Sequence, residues 1–273
     1  MPHKTRKDEV PEQRRVALVT GATGAIGRAI AAGIASDPGF EVVLVGRDSR
    51  KAAAAVAEIQ RRTGNEHVRF ELADLACGTS IKALEGRWSG PLHVLVNNAA
   101  VAPRRRHQTP EGIELQFATN VLGYFRMIEG FRDRLTRSAQ ARVVNGASYW
   151  AGGLDLTDLE FRRRRYDNDT AYRQSKQADR MLTVAFAATL KGADVTVNAC
   201  HPGDVISTLS CELGFGGSDT AEQAADTPVW LATRSIEETA TGKYFEHRQE
   251  ARCRFGEDRE AVDALFGICS DYD

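Results

Sequence analysis

Short apolar runs alternate along the chain with segments in which apolar residues recur every three or four positions. Seven runs are short, mostly rich in Val and bounded by turn residues: VALVT (16–20), EVVLVG (41–46), HVRFEL (67–72), HVLVN (93–97), RVVNG (142–146), VTVNAC (195–200) and KYFEH (243–247). Such runs predict buried strands, whereas the spacing between them predicts helices. The alternation indicates an α/β fold in which helices cover both faces of a parallel sheet.

Two segments break this alternation, residues 149–169 and residues 203–220. Irregular segments of this length inside a compact domain are usually functional or mobile. The second contains GFGG, whose glycines bend freely, so we expect residues 203–220 to form a lid over a substrate. We also expect a disordered tail over residues 1–15 and a single domain over residues 16–273, because no linker divides the chain.

The balance of charge argues against some classes of binding partner. The chain of 273 residues carries 36 Lys and Arg against 37 Asp and Glu, for a formal net charge of −1. No overall field favours nucleic acid or an anionic membrane, and no apolar run approaches the roughly 18 residues of a membrane span. Five scattered cysteines contain no C-x-x-C pair, which argues against disulfides and a metal site and for reduced thiols in the cytoplasm.

The first predicted strand leads directly into a glycine-rich turn, TGATGAIGRAIA (20–31). Glycines there let the backbone approach a pyrophosphate, which N–H groups at the start of the next helix can bind. The alternative is an ordinary tight turn. After the second strand, VLVGRDSRK places Arg47 where a basic residue would accept the 2′-phosphate of NADP(H). The alternative there is a solvated Arg47 beside an Asp48 that caps the following helix.

A tyrosine and a lysine four residues apart, Tyr172 and Lys176, lie in AYRQSK (171–176). Positions i and i+4 share a helix face, so the phenol and the ammonium should lie side by side. Nearby cations stabilise phenolate, and we expect Lys176 together with a nicotinamide cation to lower the pKa of Tyr172 from its usual value of about 10. Taken alone, such a pair is more often ordinary helix surface than a catalytic site.

Five ordered signals together resemble the short-chain dehydrogenase/reductase family. TGATGAIG is similar to its TGxxxGxG turn, ADL (73–75) to its Asp-Leu pair, and NNAA (97–100) to its NNAG. Asn120 in FATNVLGYF, Ser148 in RVVNGASYW and the Tyr172–Lys176 pair follow in the family's order. N-x-LG-x-F, AY-x-QSK and VN-x-x-HPG resemble the retinol-dehydrogenase-like branch, and the likeness runs from Val16 to about residue 245.

The resemblance implies a Rossmann-like doubly wound sheet of strand order 3-2-1-4-5-6-7 and four catalytic residues. Tyr172 would exchange the proton, Ser148 would hold the substrate oxygen, and Lys176 would bond the nicotinamide ribose. Asn120 would anchor a water that relays protons to Lys176. The matching positions assign cofactor contacts to Gly21, Thr23, Gly24, Ala25, Ile26, Gly27, Arg47, Asp74, Leu75, Asn98, Ala99, Ala100, Tyr172, Lys176, Pro202, Gly203, Val205 and Ser207.

The chain departs from the family pattern at a few positions. Ala25 replaces the usual middle glycine, and NNAA replaces NNAG. Ser207, with Thr208 beside it, stands where relatives commonly carry a threonine, and either hydroxyl could bind the nicotinamide amide. None of these changes removes a reacting group. The opening residues show no apolar anchor of the kind that retinol dehydrogenases often bear, which puts a retinoid substrate in doubt and leaves the identity of the substrate open.

These observations predict a carbonyl reductase or alcohol dehydrogenase that uses NADP(H) rather than NAD(H) and acts on a lipophilic small molecule. Family likeness alone implies a homodimer or homotetramer. The alternative from another class is a catalytically silent cofactor-binding regulator or scaffold. The arginine runs 104–106 and 162–165 are interpreted as solvated surface near the substrate mouth, and His201 as part of a turn rather than a metal ligand. Trp150 is expected to line the substrate pocket.

Overall fold

The computed structural model describes residues 14–234 and 240–272. The strands in these residues are β1 (Arg15–Thr20), β2 (Phe40–Gly46), β3 (Val68–Leu72), β4 (Val94–Asn97), β5 (Ala141–Gly146), β6 (Val195–Cys200), β7 (Tyr244–Glu246) and β8 (Gln249–Ala251). They form one sheet in the order β3-β2-β1-β4-β5-β6-β7-β8. Strands β1 to β7 pair in parallel, and β8 runs antiparallel to β7. The predicted order of seven strands is confirmed, and β8 is an addition to it.

Helices lie on both faces of the sheet. They are α1 (Ala25–Ala35), α2 (Ser49–Thr63), α3 (Gly78–Arg87), α4 (Gly123–Gly130), α5 (Arg132–Thr136), α6 (Asn168–Thr189), α7 (Thr208–Leu213), α8 (Ala221–Thr233) and α9 (Arg259–Ser270). Side chains of α1, α2 and α8 share one apolar cluster with the sheet, and those of α3, α4, α6 and α9 share the other. Because both faces are covered, strands such as β4 are buried at every residue, and three successive apolar residues (94–96) replace an alternating pattern.

The predicted long helix after Glu111 differs from a regular α-helix. It begins at residue 115, widens into a π-helical turn over Phe117–Leu122 and continues as α4. It ends at Phe131, whose backbone leaves the helical region (φ −99°, ψ 5°), before the short α5. Asn120 lies in the middle of the π-helical turn. Single π-helical turns inside α-helices are frequent at functional sites.

The two predicted irregular segments and the predicted tail have different outcomes. Most of the tail, residues 1–13, lies outside the described residues, and Arg15 already belongs to β1, where it pairs with Phe40. Residues 149–167 have no helix or strand, as expected. Residues 203–220 are only partly irregular, because they contain α7. Its start is stabilised by a capping box between Ser207 and Ser210.

Candidate active site

The carboxyl ends of the parallel strands border a cleft of about 490 Å³. It includes residues after β1 and β4, between which the chain reverses its order across the sheet, and this switch is where open α/β sheets bind ligands. Every residue that the sequence assigned to the cofactor lines this cleft. Ser148 lines it too, whereas Asn120 is fully buried and does not.

The turn after β1 has no room for larger residues at two of its glycines. Gly21 has a positive φ of 65°, and a Cβ there would lie 2.8 Å from the Cα of Ala99. A Cβ on Gly27 would lie 2.4 Å from the carbonyl oxygen of Gly21. Close approach of backbone to backbone therefore requires glycine at both positions.

The start of α1 leaves its amides available to a ligand. Its N-cap residue, Gly24, provides no side-chain hydrogen bond, and the first turn carries no acidic residue. By contrast, the N-cap residues of α2 and α6 are Asp48 and Asp167, whose carboxylates accept backbone N–H groups. An uncapped helix start that borders a cleft fits a phosphate group, because its N–H groups and helix dipole both favour an anion.

Two basic side chains line the cleft near the end of β2. Arg47 is 64% exposed in its side chain, and its Nη1 lies 3.8 Å from Asp74 Oδ2. Lys51, in the first turn of α2, also lines the cleft, although the sequence did not single it out. Asp48 accepts hydrogen bonds from the backbone N–H groups of Arg50 and Lys51 at 2.9 and 3.1 Å. The alternative interpretation of Asp48 as a helix cap is therefore correct.

Three of the four predicted catalytic side chains meet at one wall of the cleft. Tyr172 and Lys176 lie on successive turns of α6, and Ser148 follows β5. They are 9%, 2% and 5% exposed, respectively. The Lys176 ammonium lies 5.9 Å from the centre of the Tyr172 ring. The expected proximity of phenol and ammonium is thus observed, and the buried Ser148 lines the same cleft.

Several groups act on the pKa of Tyr172 in the chain alone. Burial raises the pKa of Tyr172 above its usual value, the hydrogen bond with Ser148 lowers it, and the carboxylates of Asp179 and Asp204 raise it. The Lys176 ammonium donates to Asp179 Oδ2 at 2.9 Å and to the Gly146 carbonyl at 2.8 Å. The Asp179 carboxylate therefore offsets part of the charge of the ammonium, and in the chain alone the pKa of Tyr172 is raised. A lowering of that pKa by Lys176 together with a nicotinamide cation stays a prediction.

Asn120 connects two walls of the site. Its Oδ1 accepts from the Val101 N–H at 2.9 Å, and its Nδ2 donates to the Val101 carbonyl at 3.0 Å. The same Nδ2 donates to Ser175 Oγ at 3.1 Å. The side chain therefore joins the loop after β4 to α6, on the turn that carries Tyr172 and Lys176. A role for Asn120 in a water relay stays a prediction.

Aromatic and aliphatic side chains form the outer part of the cleft. Trp150 and Phe215 contact each other edge to face, with ring centres 4.7 Å apart, and both line the cleft together with Leu209. Trp150 is thus where the sequence predicted it. Tyr149 donates to Asp204 Oδ2 at 2.8 Å and packs edge-on against His201. This end of the cleft is shaped by large apolar surfaces.

Residues 203–220 contribute the facing side. Ser207 lines the cleft, but its hydroxyl accepts from the Ser210 N–H at 3.2 Å as the cap of α7. Thr208 lines the cleft beside it. Gly217 is tightly enclosed, since a Cβ there would lie 2.2 Å from the Ile206 nitrogen. The segment that the sequence predicted as a lid lies against the cleft, while its movement stays a prediction.

The second arginine run is not simply solvated surface. The buried carboxylate of Asp158 accepts from the N–H groups of Arg162, Arg163 and Arg164, at distances that include 2.7 Å to Arg162 and 3.0 Å to Arg164. Burial raises the pKa of Asp158, but these hydrogen bonds outweigh it and lower the value to about 2. The run therefore closes a loop around Asp158, and the interpretation as solvated surface is wrong for Arg164.

Comparison with known proteins identifies the family. The profile described as short chain dehydrogenase matches residues 15–213. The chain belongs to the short-chain dehydrogenase/reductase family. Human retinol dehydrogenase 13 is 33% identical, in an alignment that covers 92% of this chain and 82% of that protein. The resemblance to the retinol-dehydrogenase-like branch is therefore confirmed.

Solved structures agree with this assignment. An uncharacterized protein from Mycobacterium Paratuberculosis superposes with a TM-score of 0.80 at 28% identity, covering 94% of this chain and 92% of that one. The Pseudomonas aeruginosa RhlG/NADP active-site complex superposes with a TM-score of 0.68 at 25% identity, covering 87% and 97%. This short-chain dehydrogenase/reductase is an oxidoreductase. Its family binds a nicotinamide cofactor, and its homologues act on small-molecule alcohols or carbonyls. In residues 14–234 and 240–272, no helix is both long enough and apolar enough to cross a membrane.

The sequence interpretation missed one ionisable group at the centre of the site. Asp179 lies three residues after Lys176, and its side chain is fully buried beside the ammonium. Its spacing was a usable signal, because positions i and i+3 share a helix face. The motif comparison passed over it because the family motif ends at the lysine.

Proposed function

We propose that this short-chain dehydrogenase/reductase is an NADP(H)-dependent carbonyl reductase or alcohol dehydrogenase for a lipophilic small molecule. The observation that carries the proposal is the convergence of Ser148, Tyr172 and Lys176 on the cleft that also contains the uncapped start of α1. A proton donor, an oxygen ligand and a phosphate-binding turn in one cleft match the needs of carbonyl reduction. A catalytically silent cofactor-binding regulator would need only the phosphate-binding turn and not the proton donor or the oxygen ligand.

Ser148 and Tyr172 act on the substrate oxygen. The Ser148 hydroxyl donates a hydrogen bond to that oxygen and stabilises the charge that develops on it. The phenol of Tyr172 then transfers its proton to the oxygen. The phenol is protonated at neutral pH, the form that reduction requires. A bound nicotinamide supplies the hydride to carbon.

Lys176 positions the cofactor and limits the charge left on Tyr172. An ammonium has three donors, and two of them are engaged by Gly146 and Asp179. The third is available to a ribose hydroxyl at the cleft. After proton transfer, the positive charge of Lys176 stabilises the phenolate of Tyr172 until it regains a proton.

The choice of NADP(H) rests on the two basic residues after β2. Arg47 and Lys51 both line the cleft, at the strand end where the ribose 2′-substituent is recognised in such folds. A 2′-phosphate would be favoured there by two cations, whereas a 2′-hydroxyl gains little from them. The likeness to a solved NADP complex supports the same choice.

Replacing Arg47 with alanine is expected to weaken NADPH binding about tenfold and NADH binding less than twofold, because only the 2′-phosphate needs the guanidinium. Dissociation constants from nicotinamide fluorescence measure both. Arg50→Ala is the matched control, since Arg50 is an exposed cation three residues after Arg47, in the first turn of α2, and does not line the cleft. Equal weakening of both cofactors by Arg47→Ala would exclude Arg47 from the phosphate site.

The outer cleft supports a lipophilic substrate. Trp150, Leu209 and Phe215 offer apolar surface beside the Ser148 hydroxyl, so a substrate would place its carbonyl at the polar end and its hydrocarbon part against the rings. Burial of apolar surface contributes about 25 cal/mol per Å². Longer apolar substituents should therefore lower KM more than they change kcat.

The test is NADPH oxidation measured with a panel of aldehydes and ketones of increasing hydrocarbon length. Turnover that improves with length supports the proposal. NADPH binding without turnover of any panel member, or of the matching alcohols with NADP⁺, would favour the silent regulator instead. Reduction of only short polar carbonyls would overturn the lipophilic class while retaining the reaction.

The cytoplasm is the proposed location. All five cysteines are free thiols, which suits a reducing compartment. A homodimer or homotetramer stays a prediction.

A further inference from the structure

Asp179 is a buried carboxylate with a single side-chain partner in the described residues. Its side chain is fully enclosed, and its Oδ2 accepts from Lys176 Nζ at 2.9 Å. Its Oδ1 is buried without a hydrogen-bond partner. A buried carboxylate oxygen left without a donor is costly, so this group is not explained by stability alone.

Asp179 fixes where the Lys176 ammonium can lie. The ammonium is held between Asp179 and the Gly146 carbonyl and lies 4.9 Å from the centre of the Tyr124 ring. The carboxylate and the carbonyl accept two of the three hydrogen bonds that an ammonium can donate. They therefore restrict the Lys176 side chain to one arrangement at the cleft.

The same carboxylate acts on the phenol of Tyr172. Burial raises the pKa of Asp179 above its usual value, and the Lys176 ammonium opposes part of that rise. The charge of Asp179 raises the pKa of Tyr172 and counteracts the ammonium there. The titratable groups that face Asp179, Lys176 or Tyr172 from other elements are Tyr124 on α4, Cys269 on α9, Cys200 on β6, and Tyr149 and Asp204 in the adjoining loops.

We infer that Asp179 is a positioning residue for the reaction: it holds the Lys176 ammonium in place and offsets part of that charge at the phenol of Tyr172. The inference deepens the proposed function and rests on it, because it concerns the acid of that same site. Its consequence is a Tyr172 that stays protonated over a wider pH range. Such a site favours carbonyl reduction, which needs the phenol, over alcohol oxidation, which needs the phenolate.

The test is Asp179→Asn, which keeps an oxygen for Lys176 and removes the negative charge. Tyr172 ionisation is followed by near-ultraviolet difference absorbance, with the same titration of a Tyr172→Phe background subtracted, in the protein alone and with NADP⁺. We expect the midpoint to fall by about one pH unit, because one nearby charge shifts a pKa by that order. The acidic limb of kcat/KM for alcohol oxidation should move in the same direction.

Thr183→Val is the matched control. The Thr183 hydroxyl donates to the backbone carbonyl oxygen of Asp179 at 2.7 Å and accepts from Asn145 Nδ2 at 2.9 Å. Its replacement removes buried hydrogen bonds on the same helix without removing a charge. It should lower stability and leave the midpoint of Tyr172 unchanged. An equal shift in Thr183→Val would show a packing effect and overturn the inference.

Two further outcomes decide the remaining cases. An unshifted or raised midpoint in Asp179→Asn overturns the inference. Asp179→Ser serves as a second charge-free variant, and loss of folding in both would assign Asp179 to stability and overturn it too. If the wild-type protein turns over no carbonyl, the proposed function fails, while the titration still reports the action of Asp179 on Tyr172.

Discussion

Tyr172→Phe is expected to lower kcat by at least about 10³-fold while changing the dissociation constant of NADPH less than threefold. The substitution removes only the hydroxyl oxygen, so the ring continues to fill its buried place on α6. General acid catalysis commonly contributes about 10² to 10⁴ in rate, and here no second phenol lines the cleft among the described residues. Single-turnover reduction and equilibrium binding separate the two effects.

The matched control for this change is Tyr272→Phe. Tyr272 also donates a hydroxyl hydrogen bond, to Glu160 Oε1 at 2.6 Å, but it does not line the cleft. Its loss should lower stability slightly and leave kcat within about twofold of wild type. A Tyr172→Phe protein with wild-type turnover would refute the assignment of Tyr172 as the acid. A parallel fall in both variants would indicate general damage to the fold.

The strands could be predicted because burial on both faces leaves an unmistakable composition. The run VLV in β4 has no polar residue on either face, which is typical of a central strand that is buried on both sides. The hairpin that forms β8 has no comparable signal. His247 and Arg248 form its two-residue loop with φ values of 48° and 61°. Asn and Gly are the residues that normally occupy such a left-handed turn. Because neither is present in this loop, the local sequence did not predict the hairpin.

The long helix was predicted in position but not in type. Apolar spacing of three and four residues is nearly the same for an α-helix and for an α-helix with one π-helical turn. The difference lies in backbone hydrogen bonds, which the side-chain pattern does not report. Asn120, placed by motif, therefore lies on a distorted turn that the periodicity could not reveal.

The site, like the long helix, could be predicted in position but not in all of its properties. The order of the motifs along the chain was enough to predict that the main site residues share one cleft. Each of them follows a parallel strand or faces the carboxyl edge of the sheet: the turn after β1, Ser148, Tyr172 and Lys176. The electrostatics could not be obtained in that way. They depend on Asp179, which binds the ammonium from three residues along the helix. The sequence motif identified Lys176 as the cation of the site. The packed structure shows that the Asp179 carboxylate offsets part of its charge.

Gly27→Ala is expected to raise the dissociation constant of NADPH at least about 100-fold, equivalent to about 2.7 kcal/mol. The added Cβ would lie 2.4 Å from the Gly21 carbonyl oxygen and 2.6 Å from Asn98 Nδ2. Neither neighbour can retreat freely. Gly21 is in a left-handed conformation against Ala99, and Asn98 Nδ2 donates to the Thr20 carbonyl at 3.0 Å.

The methyl group must therefore open the turn itself, which moves the amides at the start of α1 away from a bound phosphate. Overpacking of this kind typically costs about 1–3 kcal/mol of stability, so circular dichroism and a thermal transition must first show a folded protein. Gly86→Ala is the control, because a Cβ at that position in α3 has no atom within 4 Å. It should leave NADPH binding unchanged and the protein at least as stable as wild type, since alanine favours the helix over glycine and Gly86 lies in the last turn of α3. Wild-type NADPH affinity in a folded Gly27→Ala protein would mean that the phosphate does not bind at this turn.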